Sequence, residues 1–571
     1  MEKNKITGSE ALLRTLIAEG VECVFGYPGG QAIPIYDILY DYSDRLRHVL
    51  VRHEQGATHA AQGYARVSGK VGVALVTSGP GATNTITGIA DAMLDSTPVV
   101  VITGQVPSSL LGTDAFQEVD VIGITLPITK WAYQVRRADD VAWAVSRAFY
   151  IASTGRPGPV VIDIAKDAQV GMTDYSYTPV DFIRSYQPWP DINRERIEEA
   201  AELINRAKRP FALVGQGVIL SGAEEALKRF LEKADIPAAS TMLGLSAMPS
   251  AYRLNKGMLG MHGNIGPNRK TNECDVLIAV GMRFDDRVTG NLATYAKQAK
   301  VIHLDIDNSE VGKNVMVDVK VLGDAKVTLH EIAELLEPAE HDGWIASFAA
   351  DEEEEYGKVI KKEVFPAAAE HPAAAGCPLH MGEIVHRVSE ATGNRAVLVT
   401  DVGQNQMMGV RYFKYTQTRS VVTSGGLGTM GFGLPASVGA KIGAPDRTVC
   451  LFVGDGGLQM TLQELGTIMQ EKLDIKIILL NNNYLGMVRQ WQELFFHERY
   501  SYTKMENPDF VSLAKAFGTG AREIRKREEL DDAISEMLAY RGAYLLVAHV
   551  ENSGKVYPMV PAGGCITEML Y

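Results

Sequence analysis

Cysteine is scarce in this chain of 571 residues, which has only five. They are Cys23, Cys274, Cys377, Cys450 and Cys565, and they are scattered, odd in number and never spaced as C-x-x-C. This usage argues against a disulfide framework and against a cysteine zinc site. It is typical of small buried side chains in a reducing compartment.

Long apolar runs are also missing. Segments such as 98–102 and 475–480 are much shorter than the roughly 18 residues that a membrane-spanning helix needs. The N-terminal segment has neither the apolar core of a signal peptide nor the Arg- and Ser-rich composition of a transit peptide. We therefore expect a cytoplasmic protein without a membrane segment.

Positive charge is in deficit, because 56 Lys and Arg face 69 Asp and Glu, for a formal net charge of −13 at pH 7. No basic stripe interrupts this acidic balance, which repels phosphate backbones and argues against nucleic acid as a partner. Hydrophobic residues at 46% and charged residues at 22% are ordinary for a globular protein. This composition excludes a disordered or fibrous chain.

Glycine, by contrast, is in surplus with 55 residues, many of which follow short apolar strands. Strands alternate with helical patterns in three blocks, 1–180, 192–340 and 379–571. Continuous apolar strands between helices indicate buried parallel sheets. We predict an α/β fold of three doubly wound domains with mainly parallel sheets, whose ligands bind at the carboxyl ends of the strands.

Two linkers separate the blocks. One is the Tyr-, Pro- and Ser-rich tract 174–191, and the other contains the Pro- and Ala-rich stretch 365–378. The acidic run 352–355 belongs to the second linker. We interpret this run as a solvated helix face without a function.

The sharpest motif lies in the third block, where strand 448–453 runs into the G-D-G-G turn 454–457 and strand 475–480 ends in three asparagines. A right-handed crossover places Asp455 and Asn482 at the same edge of the sheet. A carboxylate and an amide oxygen suit a hard divalent cation, and the flanking glycines let a diphosphate approach a helix N-terminus. Either piece alone would be an ordinary turn, but together they favour a metal–diphosphate site.

A second glycine cluster, 424–433, contains a formal G-x-G-x-x-G, which would indicate a dinucleotide-binding dehydrogenase. No acidic residue follows at the expected distance in a strand context. The alternative is a loop whose backbone approaches a flat ring, with Met430 as a soft apolar support.

The remaining turns are ambiguous when taken alone. Glu54 follows strand 48–51, and by itself it is best explained as a first-turn carboxylate favoured by the helix dipole. The turns 215–217 and 281–288 follow strands of the second block, yet they lack the third glycine of a dinucleotide fingerprint. From spacing alone, the run 283–287 is best explained as a solvated ion-pair turn.

Taken together, these segments resemble a known family. The chain resembles the large catalytic subunit of acetohydroxyacid synthase (acetolactate synthase), a thiamine-diphosphate enzyme of branched-chain amino-acid synthesis, over about residues 7–570. The segments that carry the likeness are 25–36 (FGYPGGQAIPIY), 52–68, 77–84, 113–118 (TDAFQE), 155–159, 283–290 (RFDDRVTG), 400–406, 423–435, 454–457, 481–482 and 486–492 (GMVRQWQ). RFDDRVTG together with GMVRQWQ indicates the biosynthetic, FAD-binding type.

The resemblance implies the thiamine-diphosphate-binding fold, with a pyrimidine-binding domain at 1–180, an FAD-binding domain at 192–340 and a diphosphate- and Mg²⁺-binding domain at 379–571. It implies decarboxylation of pyruvate and transfer of the two-carbon unit to pyruvate or 2-oxobutyrate. The expected products are 2-acetolactate and 2-aceto-2-hydroxybutyrate, on the route to valine, leucine and isoleucine.

The resemblance also implies roles for individual residues. Glu54 would hydrogen-bond to the pyrimidine, Arg287 would bind the carboxylate of the second 2-oxo acid, and Trp491 would pack on its alkyl group. The other catalytic residues implied are Gln117 and Lys166, and the implied metal ligands are Asp455, Asn482 and the backbone oxygen of Tyr484. The implied thiamine-diphosphate contacts are Gly403, Gln404, Asn405, Gly428, Met430, Gly456, Gly457 and Met487, and the implied FAD contacts are Arg156, Gly215, Gly217, Thr241, His262, Gly281, Arg283, Asp305 and Asp324.

Glu54 and Asp455 belong to different blocks, and in this superfamily they meet across a dimer interface. The resemblance therefore implies a homodimer as the minimal active unit, or a homotetramer, with a small regulatory subunit as a further partner. Within the superfamily, the alternatives are another thiamine-diphosphate carboligase or a pyruvate oxidase. A non-catalytic regulator would require the loss of a metal ligand or of Glu54, and neither is lost.

Three positions depart from the family pattern. Gln31 replaces the usual Ala after GYPGG, Asn405 replaces a diphosphate-contacting His, and Ala165 replaces the Pro of DIPKD. Asn can donate to a phosphate but cannot be cationic. These departures bear on substrate and cofactor affinity, and they leave the reaction class unchanged.

Overall fold

A computed structural model describes residues 5–366 and 378–571 of the chain. Its strands, numbered β1 to β20 in chain order, are Ile6–Thr7, Cys23–Gly26, Arg47–Leu50, Gly72–Val76, Val99–Gln105, Trp131–Val135, Val160–Ala165, Met172–Thr173, Pro210–Val214, Ala238–Ser240, Asn255–Met258, Val276–Val280, Lys300–Asp305, Val319–Leu322, Val397–Thr400, Val421–Val422, Val449–Gly454, Ile475–Asn481, Gly520–Ile524 and Tyr544–His549.

Helices connect these strands. The α-helices of the described residues are Gly8–Ala18, Ile33–Asp41, Glu54–Ser68, Pro80–Thr83, Ile86–Leu94, Val121–Thr125, Val141–Ser153, Lys166–Val170, Arg194–Arg206, Gln216–Leu220, Glu224–Lys233, Ile265–Thr271, Asp286–Thr289, Ala325–Leu335, Asp342–Ala346, Phe348–Glu355, Lys361–Glu363, Met381–Ala391, Gln404–Tyr412, Gly433–Gly443, Asp455–Thr461, Leu465–Glu471, Gly486–Phe495, Phe510–Ala516 and Leu530–Ala539. Short 3-10 helices are Ser108–Leu110, Leu126–Ile128, Ala138–Asp140, Met242–Gly244, Leu462–Glu464 and Arg527–Glu529, and a π-helical turn is Tyr356–Ile360.

The strands form three six-stranded sheets and a two-stranded one, β1–β8. The N-terminal sheet has the order β3-β2-β4-β5-β7-β6, the central sheet β11-β10-β9-β12-β13-β14, and the C-terminal sheet β16-β15-β17-β18-β20-β19. All neighbouring strands within each six-stranded sheet run parallel. The predicted α/β fold with three parallel sheets is therefore confirmed.

Sequence explains why these segments become central strands. The apolar run VLIAV of β12 and the run VCLFV within β17 are buried at every position, as expected for strands covered by helices on both faces. We call each sheet with its covering helices the N-terminal, central or C-terminal unit. The carboxyl ends of the strands then define one edge of each unit at which ligands can bind.

The N-terminal and C-terminal units share one apolar core, in which helix Glu54–Ser68 packs on helix Gly433–Gly443. A Cβ at Gly63 would overlap the carbonyl oxygen of Ala436, and a Cβ at Gly439 would overlap that of Ala60. These two glycines are required for close helix packing and not for a ligand. Part of the glycine surplus is thus structural.

The prediction of small buried cysteine side chains is confirmed for three of the four described cysteines. Cys23, Cys274 and Cys450 are buried, and Cys565 is partly exposed. Cys377 and most of the Pro- and Ala-rich linker lie outside the described residues. Among the helices that the structure describes, none has the length and apolarity needed to cross a membrane.

Candidate cofactor and substrate site

Asp455 and Asn482 lie side by side at the carboxyl edge of the C-terminal sheet. Strands β17 and β18 pair with Gly454 beside Leu480, so Asp455 directly follows one strand and Asn482 the other. Their exposed fractions are 1% and 5%. Burial raises the pKa of Asp455, although a hydrogen bond from Asn507 opposes this shift. The spacing argument therefore placed this pair where the structure has it.

The sequence analysis missed Asn507. Its Nδ2 donates to Asp455 Oδ2 at 2.7 Å and to Asn481 Oδ1 at 3.0 Å, which fixes the carboxylate against the end of β18. Asn507 lies in a segment without a motif, so only the folded chain brings it to Asp455 and Asn482. We call the place where these two residues lie the Asp455–Asn482 corner.

The acidic donor set at this corner is sparse. No group of three or more His, Cys, Asp or Glu placed to hold a metal occurs in residues 5–366 and 378–571. Besides the Asp455 carboxylate, this corner offers the Asn482 amide and the nearby backbone of Tyr484, whose N–H donates to Asn482 Oδ1 at 3.0 Å. Such a set fits Mg²⁺, which usually takes one or two carboxylates and fills its other positions with water and phosphate oxygens.

A polar cradle for a diphosphate lies next to this corner, at the start of helix Gln404–Tyr412. The Asn405 side chain is 3% exposed and lies against Gly454, and its Oδ1 has no hydrogen-bond partner in the described part of the chain. Gln404 Oε1 accepts from Asn482 Nδ2 at 3.4 Å, and Gly403 has a φ of +130°. A buried amide without a partner fits a bound polar group.

The two glycines that follow Asp455 have no room for side chains. A Cβ at Gly456 would lie 2.7 Å from Leu485 Cδ2, and a Cβ at Gly457 would overlap the Asp401 carboxylate. Met430 Cε lies 3.6 Å from that Gly456 position, so the Met430 side chain reaches the same corner.

The glycine loop 424–433 faces this corner. Gly428 has a φ of +70°, and the nearest atom to a Cβ built on it is Val402 Cγ1 at 4.0 Å, so its surroundings are open. The end of the loop is held by the buried Asp401, which accepts from the N–H groups of Gly431 and Gly433 at 3.0 and 2.9 Å. Asp401 directly follows β15. The rule that ligands bind at the carboxyl ends of parallel strands could therefore have singled it out from the sequence.

A cavity of about 710 Å³ opens between the three units. Its volume is in the range of cofactor sites. Of the residues that the resemblance assigns to FAD, it is lined by Arg156, Gly217, Thr241, His262, Gly281, Arg283, Asp305 and Asp324. Gly428, Arg287, Met487 and Trp491 line it as well.

The glycines between β9 and β12 explain how this cavity comes so close to the backbone. The strand order of the central sheet reverses between these two strands, the position at which parallel sheets bind dinucleotides. Gly215 N–H donates to Val280 O at 2.9 Å, and a Cβ at Gly215 would overlap the carbonyl of Gly281. Gly215 therefore supports the cavity from behind without lining it.

Most charged side chains around the cavity are paired with an opposite charge or buried. Arg156 Nη1 lies 3.1 Å from Asp307 and 2.7 Å from Glu310. Burial raises the pKa of Asp305 to about 6 and lowers the pKa of His262 to about 4. Arg287 is different, because its side chain is 60% exposed and its pairing with Asp286 is loose at 3.7 Å. This guanidinium remains available to an anionic substrate.

Glu54, Gln117 and Lys166 lie elsewhere, at the carboxyl edge of the N-terminal sheet. Glu54 begins helix Glu54–Ser68 and accepts from Asn84 Nδ2 at 2.9 Å. Gln117, with a φ of +59°, packs its backbone on Gly79, and Lys166 begins the helix after β7. Within the described residues, none of the three lines the cavity, and no hydrogen bond links Glu54 to Asp455 or Asn482.

Two of the departures from the family pattern lie in the N-terminal unit. Gln31 N–H donates to Thr77 Oγ1 at 3.2 Å, and its carbonyl accepts from Gln169 at 2.8 Å. The buried Gln31 Oε1 has no partner in the described part of the chain. Ala165 is the buried last residue of β7, directly before Lys166.

The interpretation of the acidic run 352–355 as a solvated face is wrong for Glu355, which is 3% exposed. Its carboxylate lies 2.5 Å from Arg411 Nη2 and accepts from Ile265 N–H at 2.7 Å. Arg411 also donates to the carbonyls of His262 and Gly263 at 2.7 and 2.9 Å. This buried pair ties the cavity-lining His262 turn to the C-terminal unit.

Comparison with known proteins agrees with this division into units. The chain matches the family of thiamine pyrophosphate enzymes three times: the N-terminal TPP binding domain at residues 6–124, the central domain at 197–332 and the C-terminal TPP binding domain at 401–548.

Full-length relatives are also found. The chain is 44% identical over 573 residues to the acetolactate synthase large subunit of Corynebacterium glutamicum, covering 99% of this chain and 90% of that protein. It is 43% identical over 568 residues to the acetolactate synthase isozyme 2 large subunit of Escherichia coli, covering 99% of both. It is 42% identical over 566 residues to the acetolactate synthase large subunit of Lactococcus lactis, covering 99% of this chain and 96% of that protein.

Proposed function

This chain belongs to the thiamine pyrophosphate enzymes, among the acetolactate synthase large subunits, and on that premise we propose how its residues carry out the acetohydroxyacid synthase reaction. The enzyme decarboxylates pyruvate and transfers the two-carbon unit to pyruvate or 2-oxobutyrate. The observation that carries the mechanism is the buried Asp455–Asn482 corner beside the glycine loop.

The C-terminal unit binds thiamine diphosphate and Mg²⁺. Asp455, Asn482 and the backbone oxygen of Tyr484 would hold the metal, supported by the sparse oxygen donor set at this corner. The residues that would contact the cofactor are Gly403, Gln404, Asn405, Gly456, Gly457, Gly428, Met430 and Met487. When bound, thiamine diphosphate supplies an electron sink for the decarboxylation of a 2-oxo acid.

The glycine loop orients the pyrimidine ring. The Gly428 carbonyl would accept a hydrogen bond from the amino group of the ring, and the Met430 side chain would support the ring. Both roles are supported by the open surroundings of Gly428 and by the contact distance of Met430. A second polar group must then meet the ring from its other side.

Glu54 would be that group and would hydrogen-bond to a ring nitrogen. It comes from a second copy of the chain, so the working assembly is a homodimer or a homotetramer built from homodimers. The separation of Glu54 from Asp455 and from the cavity supports this assignment. The relatives are named large subunits, which supports a small regulatory subunit as a further partner. A cytoplasmic location stays a prediction from the sequence.

FAD would occupy the cavity between the units. The reversal of strand order at β9 and β12, the close approach of Gly215 and Gly281, and the volume of about 710 Å³ all fit a dinucleotide. The residues that would contact it are the cavity-lining Arg156, Gly217, Thr241, His262, Gly281, Arg283, Asp305 and Asp324. Gly215 would support them from behind. Because the overall reaction involves no net oxidation or reduction, the FAD is structural.

The second 2-oxo acid binds where Arg287 and Trp491 line the same cavity. The exposed Arg287 guanidinium binds its carboxylate through two parallel hydrogen bonds. Trp491, whose ring lies 5.2 Å from that of Phe495, packs on its alkyl group. One added methylene on the substrate can favour it by only about 1–3 kcal/mol. Gln117 and Lys166 reach the substrate from the second copy.

The direct test is a product assay of the purified protein with Mg²⁺, thiamine diphosphate and FAD, in which pyruvate and 2-oxobutyrate compete. We expect CO₂, 2-acetolactate and 2-aceto-2-hydroxybutyrate. Formation of acetate or acetyl phosphate without either hydroxy acid would contradict the proposal in favour of a pyruvate oxidase.

A further inference from the structure

Two carboxylates of the N-terminal unit reach the glycine loop of the C-terminal unit. Asp91 lies in helix Ile86–Leu94, and Asp95 ends that helix. Their exposed fractions are 0% and 1%. Neither residue belongs to the catalytic or cofactor-binding set named above. We call Asp91 and Asp95 the aspartate clamp.

The clamp holds the first part of the loop through backbone and side-chain donors. Asp95 accepts from the N–H groups of Gly425 at 2.9 Å and Gly426 at 2.6 Å. Asp91 Oδ1 accepts from the hydroxyl of Ser424 and from that of Thr429 at 3.2 Å. The loop is therefore fixed immediately before Gly428 and immediately after it.

The clamp is itself held in place. Arg66 Nη2 lies 2.6 Å from Asp95 Oδ2, and the side chains are 6% and 0% exposed. A Cβ at Gly426 would lie 2.9 Å from Asp95 Oδ1 and 3.0 Å from Leu94 Cβ, so glycine is required for this approach. A buried, charge-assisted contact of this kind is stronger than one between neutral groups.

Asp401 holds the far end of the loop, at Gly431 and Gly433, from within the C-terminal unit. Gly428 lies between the Gly426 and Thr429 contacts of the clamp, and Met430 lies between the Thr429 contact and the Asp401 contacts. A glycine-rich segment has many accessible backbone conformations. This freedom must be restricted before a carbonyl of the segment can accept a hydrogen bond from a ligand. The contacts on both sides restrict this segment without occupying its ligand-facing side.

We propose that Asp91 and Asp95 are positioning residues, which preorganise Gly428 and Met430 for the pyrimidine ring of thiamine diphosphate. The inference rests on the proposed function, since it assumes that this loop meets the ring. It gives the N-terminal unit a second role, because Glu54 serves the site of the partner copy while Asp91 and Asp95 shape the site of their own chain.

The test compares two ligands that share the diphosphate end. FAD-loaded protein is titrated with thiamine diphosphate and, separately, with inorganic pyrophosphate, both with Mg²⁺, and binding is followed by intrinsic fluorescence. Asp95→Asn should weaken thiamine diphosphate at least about tenfold and leave pyrophosphate within about twofold, because only the ring uses the loop. Asp44→Asn, which changes an exposed aspartate of the same unit, is the matched control.

A second pair of variants covers the case in which Asp95→Asn does not fold. Thr429→Val removes the hydroxyl that donates to Asp91, and Thr429→Ser keeps it. We expect weaker thiamine-diphosphate binding in the first and near-normal binding in the second, again with pyrophosphate unaffected.

Equal weakening of both ligands, or wild-type binding of thiamine diphosphate by Asp95→Asn and Thr429→Val, would overturn the positioning role. A wild-type protein that binds no thiamine diphosphate would contradict the proposed function itself, and the clamp with it.

Discussion

The N-terminal and C-terminal sheets have the same strand order and carry different chemistry. In each, the first strand along the chain lies between the second and the third, and the last two strands are exchanged at the far edge. The turn after the third strand of the N-terminal sheet, residues 77–84, contains no acidic residue. The turn at the same position of the C-terminal sheet begins with Asp455.

The second strands show the same contrast. After β3 comes Glu54, and after β16 comes the glycine loop. One topology thus offers two equivalent edges with different side chains: Glu54 on one edge, and the Asp455–Asn482 pair with the glycine loop on the other. In the proposed homodimer, each edge gains its complement from the other copy.

The largest expected effect comes from removing the charge that distinguishes the C-terminal edge. Asp455→Asn should lower kcat/KM at least about a thousandfold, or about 4 kcal/mol, because the metal loses its carboxylate. The measurement is the initial rate of acetolactate formation over a titration with Mg²⁺. Asp446→Asn, at an exposed turn of the same unit, should retain wild-type rates. A similar loss in this variant would contradict a specific role of the Asp455 carboxylate.

The helices that follow the first strand of each sheet are anchored differently. Helix Gln404–Tyr412 follows the first strand of the C-terminal sheet and is tied to the central unit through Arg411 and Glu355, whereas its N-terminal counterpart, Ile33–Asp41, has no buried ion pair in the described structure. Glu355→Gln should lower the free energy of unfolding by about 3–5 kcal/mol, because it leaves a buried guanidinium without its charge partner.

Chemical denaturation of the FAD-loaded protein measures this difference. The matched control is Glu353→Gln, which changes an exposed member of the same acidic run and should alter stability by less than about 0.5 kcal/mol. Equal effects of the two substitutions would show that the run is a uniform solvated face after all.

The smallest effect is a pH dependence due to a buried carboxylate, which strand β7 of the N-terminal sheet contains and its counterpart in the C-terminal sheet lacks. Burial raises the pKa of Asp163, on β7, from 3.8 to about 6, although hydrogen bonds from Thr103, Gln134 and Gln105 oppose the shift. The counterpart strand β20 contains no carboxylate. Between about pH 4 and pH 6 folded Asp163 retains a proton that it releases in the unfolded chain, so its contribution to stability falls as pH rises through this range and is level above it.

Asp163→Asn cannot ionise and should lack this decline. The Tm of the variant minus that of the wild type should therefore become more positive from pH 4 to about pH 6.5, and stay constant between pH 7 and pH 8. Differential scanning fluorimetry across this range is sufficient, and a difference in Tm that does not vary with pH would contradict the assignment.

Much of the fold and part of the site could be predicted from the sequence, because both depend on local rules. Buried apolar runs indicated the parallel strands, and the right-handed crossover brought Asp455 to Asn482. The aspartate clamp could not be found in this way, since the contact of Asp91 with Ser424 spans 333 positions. Glu355 was misread because a charge run looks the same whether or not one member meets a buried Arg411.

The central claim is that Glu54 of one copy completes the Asp455 corner of another, and a hybrid dimer tests it most directly. Glu54→Gln and Asp455→Asn chains carrying different tags are co-expressed, and dimers with both tags are purified; each variant alone is the control. Such a hybrid would retain one intact site of two, so we predict about half of the wild-type rate per dimer from two nearly inactive parents. A hybrid no more active than its parents would show that Glu54 and Asp455 act within one chain, and would contradict the account.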